Sequence, residues 1–261
     1  MYFVDTHCHL NLMNSNGQLD FIIENAIKND IKKIMVPGID IETSLEAIKI
    51  SEKYDCVYAA IGIHPNEANK WAEDSFTTLK ELASHPKVRA IGEIGLDFYR
   101  KHAPREVQIR VLTEQLNLAE ITGLPIIIHT RDSLQETLNH VLVWKNLITK
   151  RKIYGVFHSF EGNIEQAVKI ASEQFFIGIS GPITYKNASE KHELGKNFPL
   201  SSMLLETDSP YLSPHPLRGK PNEPANIKLI AEKISNLSEK PLKLVLQETT
   251  KNANILFAWE H

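Results

Sequence analysis

Two histidines near the beginning of the sequence, His7 and His9, stand two positions apart. On an extended segment this spacing points both imidazole rings to one side and turns Cys8 to the other. Paired imidazoles of this kind can chelate a metal ion. Two more histidines and two carboxylates could join them: His129, His158, Glu93 and Asp208. Imidazole nitrogens and carboxylate oxygens together suit Zn²⁺, Mn²⁺ or a similar cation.

The number of these candidate ligands indicates more than one ion. An open catalytic zinc site typically uses three protein ligands and a water, and six side chains are available here. We therefore expect two metal ions, bridged by Glu93 or Asp208, because a carboxylate can bind two cations through its two oxygens. Ions about 3.5–4 Å apart can activate water and hold the attacked and leaving oxygens of a phosphodiester. Because imidazole binds metal only when neutral, the apparent metal affinity should fall as the pH drops below about 6.5.

Eight short apolar runs recur along the chain and predict strands at 2–5, 33–37, 57–61, 88–91, 125–128, 153–157, 175–179 and 203–205. Apolar residues recur at helical spacing between them, as at Leu19, Ile22 and Ile23. Strands that alternate with helices pair in parallel, and near-continuous apolar strands fit a sheet covered on both faces. Neither period continues through 180–187 and 209–224, which predict loops, and 225–257 predicts two helices divided near 239–241.

Ionisable residues stand just past the ends of six of the predicted strands. In strand order they are Asp5, His7 and His9, then His64, Glu93, His129 and His158, and finally Glu206 and Asp208. In an open parallel sheet the first and last strands lie far apart, whereas a closed barrel brings all of these ends around one mouth. The sequence therefore predicts an α/β fold, a (β/α)8 TIM barrel, formed by residues 1–261 as a single domain.

The composition is typical of a soluble globular protein, with 261 residues, 29 basic and 32 acidic side chains and a formal net charge of -3. This balance argues against nonspecific binding of long nucleic acid, but not against nucleic acid held in a local site. No apolar run approaches the roughly 20 residues of a membrane span, and the first residues lack a signal-peptide pattern. Two cysteines are too few for a disulfide framework, so we expect a cytoplasmic protein in which Cys8 is a buried structural thiol.

Seven motifs, in order along the chain, resemble those of a known family: DTHCHL at 5–10, GIHP at 62–65, GEIGLDFYR at 92–100, IIHTR at 127–131, HSFEG at 158–162, LETDSPYL at 205–212 and RGKPNEP at 218–224. Together they resemble the TatD family of metal-dependent hydrolases within the amidohydrolase superfamily. The resemblance implies a TIM-barrel, divalent-metal deoxyribonuclease with 3′-to-5′ exonuclease character. It also implies that one metal site is formed by His7, His9, Glu93 and Asp208 and the other by Glu93, His129 and His158, with Glu93 as the bridge.

Other polar residues receive roles in a hypothesis of phosphodiester hydrolysis. Asp208 would act as general base, so that it and Glu93 are the catalytic candidates. Substrate contacts are expected from four residues: His64 and Arg131 at the rim, and Arg218 and Lys220 in the loop after the last strand. Glu206 would orient a metal ligand. His215, in the same long loop, could also reach the mouth.

We expect a DNA or oligonucleotide substrate held at a single-stranded end through a few phosphates. The cofactors would be two divalent cations drawn from Mg, Mn, Zn, Co and Ni, and the protein would be a monomer with no membrane contact. The same site could instead hydrolyse an amide, a lactone, a phosphotriester or the ester of an aminoacyl-tRNA, because fold and metals do not decide the substrate. A barrel that has lost its activity and serves as a binding protein is a further alternative, although the complete ligand set argues against it.

Overall fold

The computed structural model describes residues 2–13, 17–148 and 151–259. Its centre is one sheet of eight parallel strands that neighbour one another in chain order. The strands are β1 (Phe3–Asp5), β2 (Ile31–Pro37), β3 (Val57–Ile61), β4 (Val88–Asp97), β5 (Ile126–Arg131), β6 (Gly155–Phe157), β7 (Phe175–Ile179) and β8 (Met203–Leu205). The predicted (β/α)8 barrel is confirmed.

The barrel closes at the end where the strands finish. Hydrogen bonds join the segment after β1 to the end of β8 and the segment after it: the amide of Thr6 donates to the Leu205 carbonyl at 3.0 Å, and Cys8 forms an isolated parallel bridge with Ser209. The two segments that carry candidate ligands after β1 and β8 therefore complete the barrel themselves.

Two strands run further toward this end than their apolar runs predict. β4 and β5 stay paired up to Asp97 and Arg131. Glu93 and His129 therefore lie within strands, so the prediction that they stand past the strand ends is wrong. The end of an apolar run does not mark the end of these strands. The polar residues that follow the run are also buried, and their backbone N–H and C=O groups still need hydrogen-bond partners, which strand pairing supplies.

Helices flank the sheet: α1 (Leu10–Met13), α2 (Leu19–Lys28), α3 (Ile41–Lys53), α4 (Ser75–Leu82), α5 (Arg105–Thr122), α6 (Leu134–Leu147), α7 (Ile164–Ser172), α8 (Ser189–Asn197), α9 (Ile227–Ser238) and α10 (Leu242–Phe257). The last two confirm the predicted pair. Capping boxes fix two of the starts, at Asp40 before α3 and at Asn163 before α7. Within the described residues, none of the helices is long and apolar enough to cross a membrane.

The buried apolar side chains form two layers. The larger layer lies between the strands and the surrounding helices. The smaller one fills the barrel interior with one side chain from each strand: Val4, Met35, Ala60, Ala90, Ile127, Val156, Phe176 and Leu204. The end of α10 and the residues after it close this interior from below through Leu256, Phe257 and Trp259. The opposite end is left for polar side chains.

Both predicted loops lie at the mouth of the barrel. The first contains a single 3-10 turn, Gly181–Thr184, after β7. The second is irregular up to another 3-10 turn at Pro224–Asn226. The side-chain amide of Asn222 holds this longer loop in place by donating to the carbonyls of Thr207 and Tyr211 at 2.9 and 2.8 Å.

Candidate metal centre

The segment after β1 positions the first histidine pair, His7 and His9. Its backbone is held on both sides, because the amide of Cys8 donates to the Met35 carbonyl at 3.0 Å and the amide of His9 donates to the Ser209 carbonyl at 2.7 Å. Alternation turns the imidazoles inward and places Cys8 in the apolar core, where it is fully buried. Burial raises the pKa of the Cys8 thiol well above its ordinary value, so this cysteine packs as a small apolar side chain.

The rings of His7 and His9 face each other and two carboxylates. Their Nε2 atoms are 3.2 Å apart. The Oε2 atom of Glu93 lies 3.3 Å from Nε2 of His7 and 3.6 Å from Nε2 of His9. The Oδ1 atom of Asp208 lies 3.7 and 3.5 Å from the same two nitrogens. Two nitrogens and two carboxylate oxygens thus converge on one small volume.

A second pair of imidazole nitrogens faces the other oxygen of Glu93. His129 Nδ1 and His158 Nε2 are 3.3 Å apart, and each lies 2.8 Å from Oε1 of Glu93. His64 Nε2 is 3.5 Å from that oxygen, and its Nδ1 accepts a hydrogen bond from the Asn66 amide at 3.1 Å. His64 is only 9% exposed, so it belongs to the cluster rather than to the rim where we expected it.

The donor atoms fit divalent cations. Three overlapping groups each bring their ligand atoms within 4.8 Å of one another: His7 with Glu93 and His158, His7 with His9 and Asp208, and His64 with Glu93 and His129. Neutral imidazoles and carboxylates are the ligands that zinc and manganese accept. All six residues predicted as ligands therefore meet at the mouth, and His64 joins them.

Burial and mutual contact displace the pKa values of this cluster. Burial alone would raise the pKa of Glu93, but the imidazoles of His158, His64 and His7 hold it well below its usual range. Burial lowers the pKa of His7 to about 4. Burial would also lower the pKa of His158, but the Glu93 carboxylate outweighs it and raises that pKa to about 10. At neutral pH the metal-free cluster therefore combines an ionised Glu93, a neutral His7 and a protonated His158.

Glu206 lies behind His158. Its Oε1 is 3.8 Å from Nδ1 of His158 and accepts a hydrogen bond from the Ser159 amide. Burial raises the pKa of Glu206 to about 8, so the carboxyl group holds a proton at neutral pH. Gly178 on β7 makes room for it, because a Cβ atom there would lie 2.2 Å from Oε2 of Glu206. Glu206 therefore lies beside Nδ1 of His158, while Nε2 of the same ring faces Glu93. This is the position from which a residue can orient a ligating histidine.

Asp97 is a contact that the sequence reasoning missed. Its Oδ2 lies 3.4 Å from Nε2 of His129, on the side of the ring opposite the cluster. The amides of Tyr99 and Arg100 donate to Oδ1 at 3.0 and 2.9 Å, and the Asn66 side chain donates to Oδ2 at 3.0 Å. These contacts hold the pKa of Asp97 below its ordinary value, so it stays ionised. The available signal was the even spacing from Glu93, which puts both side chains on one face of β4.

Asp5 is a second residue to which the sequence assigned no role, and it contacts the backbone of the site. Its carboxylate accepts hydrogen bonds from the Thr207 hydroxyl at 2.6 Å, the Thr207 amide at 2.9 Å and the His7 amide at 3.3 Å. It therefore joins the backbone that carries His7 to the backbone that leads to Asp208. Burial raises the pKa of Asp5 to about 7.

The cationic residues predicted to contact substrate lie outside the cluster. Arg131 pairs with Glu161 at 3.1 Å and lies over the Tyr99 ring, with 42% of its side chain exposed. Arg218 lies over the ring of Tyr185, and Lys220 is exposed on the long loop. Arg131 is the last residue of β5, and Arg218 and Lys220 lie in the loop that follows β8.

Comparisons with known proteins identify the family of this chain. Residues 4–258 match the family described as TatD related DNase. The uncharacterised metal-dependent hydrolase YabD of Bacillus subtilis is 40% identical over 97% of this chain and 98% of its own, and the 3'-5' ssDNA/RNA exonuclease TatD of Shigella flexneri is 30% identical over 91% and 92%. The crystal structure of YjjV, a TatD homologue from Escherichia coli, superposes with a TM-score of 0.91 at 31% identity and covers 98% of both chains. The chain therefore belongs to the TatD-related DNase family of metal-dependent hydrolases.

Proposed function

We propose that this protein is a phosphodiesterase that uses two divalent cations to release nucleotides from the 3′ ends of single-stranded DNA. The observation that carries the proposal is the position of Glu93. Its two oxygens face two different pairs of imidazole nitrogens, Oε2 toward His7 and His9 and Oε1 toward His129 and His158. A carboxylate in that position can serve two cations at once.

The ligand sets follow from this geometry. One cation would be held by His7, His9, Glu93 and Asp208, and the other by Glu93, His129 and His158. His64, whose Nε2 also faces Glu93, either completes the second set or meets the substrate there. Bound divalent cations would supply Lewis-acid polarisation of the phosphoryl group and activation of water.

Asp208 is the residue that we propose as general base. Burial would raise its pKa, but its hydrogen bond with His9 and the nearby imidazoles of His158 and His7 lower the pKa below the ordinary aspartate value. The group is therefore ionised at neutral pH and can accept a proton. Arg131, at the rim with much of its side chain exposed, would stabilise charge on the phosphoryl oxygens.

Support for the nucleic-acid substrate comes from the Shigella relative, whose name describes an exonuclease of single-stranded DNA and RNA. The near-neutral charge of the chain, -3, is consistent with a strand end held through few phosphates. Loops after the strands shape the mouth and would select the substrate.

The test combines elemental analysis with a panel of substrates. The purified protein is stripped with a chelator and reloaded separately with Mg²⁺, Mn²⁺, Zn²⁺, Co²⁺ or Ni²⁺. Single-stranded oligonucleotides labelled at the 3′ or 5′ end should then release mononucleotides from the 3′ end, with about two ions bound per chain at full activity. Release of amino acids from charged tRNA, without nucleotide release, would replace the nuclease proposal with an esterase. A protein that binds no divalent ion and cleaves nothing would support the binding-protein alternative.

A further inference from the structure

A cavity of about 590 Å³ lies between the loops that follow β7 and β8. Its lining residues are Tyr185, Lys186, Asn187, Ala188, His215 and Arg218. Two of them, Lys186 and Arg218, are cationic and none is acidic, although the whole chain carries more Asp and Glu than Lys and Arg. We propose that this cavity binds a phosphate group of the nucleotide strand on the 5′ side of the cleaved bond. The proposal rests on the phosphodiesterase function given above.

The cavity is built from two loops that are tied to each other. The hydroxyl of Tyr185 donates to the Ser213 carbonyl at 3.1 Å, and the amide of His215 donates to the hydroxyl of Thr184 at 2.8 Å. The loops also approach so closely that a Cβ atom on Gly181 would lie 1.8 Å from the Leu212 carbonyl oxygen. These contacts join the two walls of the cavity directly.

Arg218 is held in position by the ring of Tyr185. Its guanidinium group lies 4.4 Å from the centre of the Tyr185 ring, a cation–π contact that holds the side chain across the cavity wall. A guanidinium held in this way can still present its N–H groups to two oxygens of one phosphate. Lys186 and His215, both exposed, add donors from either loop.

The cavity lies close enough to the candidate metal centre to share one strand with it. Ser213, which accepts the hydrogen bond from Tyr185, is five residues after Asp208, a distance of at most about 17 Å along extended chain. A short strand with its end at the metal centre could therefore place one of its further phosphates in the cavity. A dinucleotide that has no such phosphate would not reach it.

The test compares Arg218→Ala with wild-type protein on two substrates, a thymidine dinucleotide and an eight-nucleotide thymidine strand. We expect kcat/KM for the longer strand to fall about tenfold through KM, since a charged hydrogen bond is lost. The dinucleotide should be cleaved at the wild-type rate. Arg218→Lys should recover part of the loss, and Arg110→Ala, which removes an exposed arginine from α5, should change neither substrate. Equal losses on both substrates, or no loss on the longer one, would overturn the proposal.

A binding measurement separates this inference from the proposed function. The affinity of the metal-loaded protein for an eight-nucleotide phosphorothioate strand, which resists cleavage, is followed against salt concentration. Loss of one phosphate contact in Arg218→Ala should reduce the slope of log affinity against log salt by about 0.7. That change would support the cavity even if the wild type cleaved no phosphodiester, an outcome that would remove only the nuclease proposal. An unchanged slope would reject the cavity even in an active nuclease.

Discussion

The two ends of the barrel interior are formed by the same strands but are lined by opposite kinds of side chain, apolar at the lower end and polar at the mouth. At the lower end each strand contributes one apolar side chain, and Phe257 and Trp259 close the layer. At the mouth the strands and the segments after them contribute imidazoles and carboxylates that are almost as deeply buried. Glu93 is 2% exposed, compared with 3% for Trp259.

Equal burial has unequal energetic consequences. Burying an apolar side chain stabilises the fold by about 1.5–3 kcal/mol. Burying an ionised group costs free energy unless a partner compensates for it, and the pairing of Glu93 with His158 and His129 is such a compensation. We infer that the lower end provides stability, whereas the mouth contributes chemistry that the rest of the fold must support.

The largest expected effect comes from Glu93→Gln. A neutral amide cannot serve two cations, so nucleotide release should fall at least about 1,000-fold. The free energy of unfolding of the metal-free protein should change only slightly, because the imidazoles around position 93 can lose their protons when the carboxylate is removed. Activity assays and urea titrations in chelator measure the two effects. Glu106→Gln, on the exposed side of α5, is the matched control, and retention of a tenth of the activity by Glu93→Gln would contradict the assignment of the bridge.

At the lower end of the barrel interior we expect a substitution to reduce stability without reducing activity. Trp259 packs against Phe257 and Tyr58 with ring centres 4.9 and 5.1 Å away. Trp259→Ala should therefore lower the free energy of unfolding by about 3 kcal/mol, while the metal content and the activity of the folded protein stay at wild-type levels. Urea titration and elemental analysis provide both readouts, and Trp259→Phe should lose less stability. If the alanine variant lost its metal while still folded, the two ends would not be independent.

A smaller effect is expected from Asp97→Asn, which tests how far the polar network extends behind the ligands. Asparagine has nearly the same volume, and its carbonyl can still accept from the Tyr99 and Arg100 amides, but it no longer places a charge beside His129. Metal affinity should fall roughly 10- to 100-fold, as is typical when a partner of a ligating histidine is removed. Asp132→Asn, exposed just after β5, is the control. Competition with a metal-sensitive dye measures the affinity, and identical affinities for the two variants would show that Asp97 only shapes its loop.

The missed residues show what sequence patterns can and cannot reveal here. Even spacing and position after an apolar run predict His7, His9 and His158, because these properties depend on local backbone geometry. Asp97 gains its role only when β4 stays paired with β5 beyond the apolar run, and Asp5 gains its role only when barrel closure brings Thr207 beside it. Both depend on which strands become neighbours. The even spacing from Glu93 puts Asp97 on the same face only if β4 extends that far, and no period in the sequence records the extension.

Burial explains why His64 was expected at the rim but lies in the cluster. The sequence shows that His64 follows a strand, but whether its ring reaches the rim or the cluster depends on the path of the next turn, Pro65–Lys70. The amide of Asn66 in that turn donates to Nδ1 of His64 and holds the ring with Nε2 toward Glu93. For the same reason the pKa values of the cluster, which arise from its contacts, could not be read from the sequence.

The smallest expected effect is a change in metal affinity over one pH unit, which distinguishes His158 from His7. His7, with a pKa of about 4, is already neutral at pH 7.5, whereas His158, with a pKa of about 10, must lose a proton before its Nε2 can bind metal. Metal affinity should therefore rise about tenfold between pH 7 and pH 8, because one proton must leave His158 for each ion bound there. The metal-free fold should lose stability over the same range, because a histidine with a raised pKa stabilises the folded state only while it is protonated. Calorimetry in buffers of different ionisation enthalpy should detect about one proton released per chain at pH 7.5, and metal affinity that levels off above pH 6.5 would contradict the pairing of His158 with Glu93.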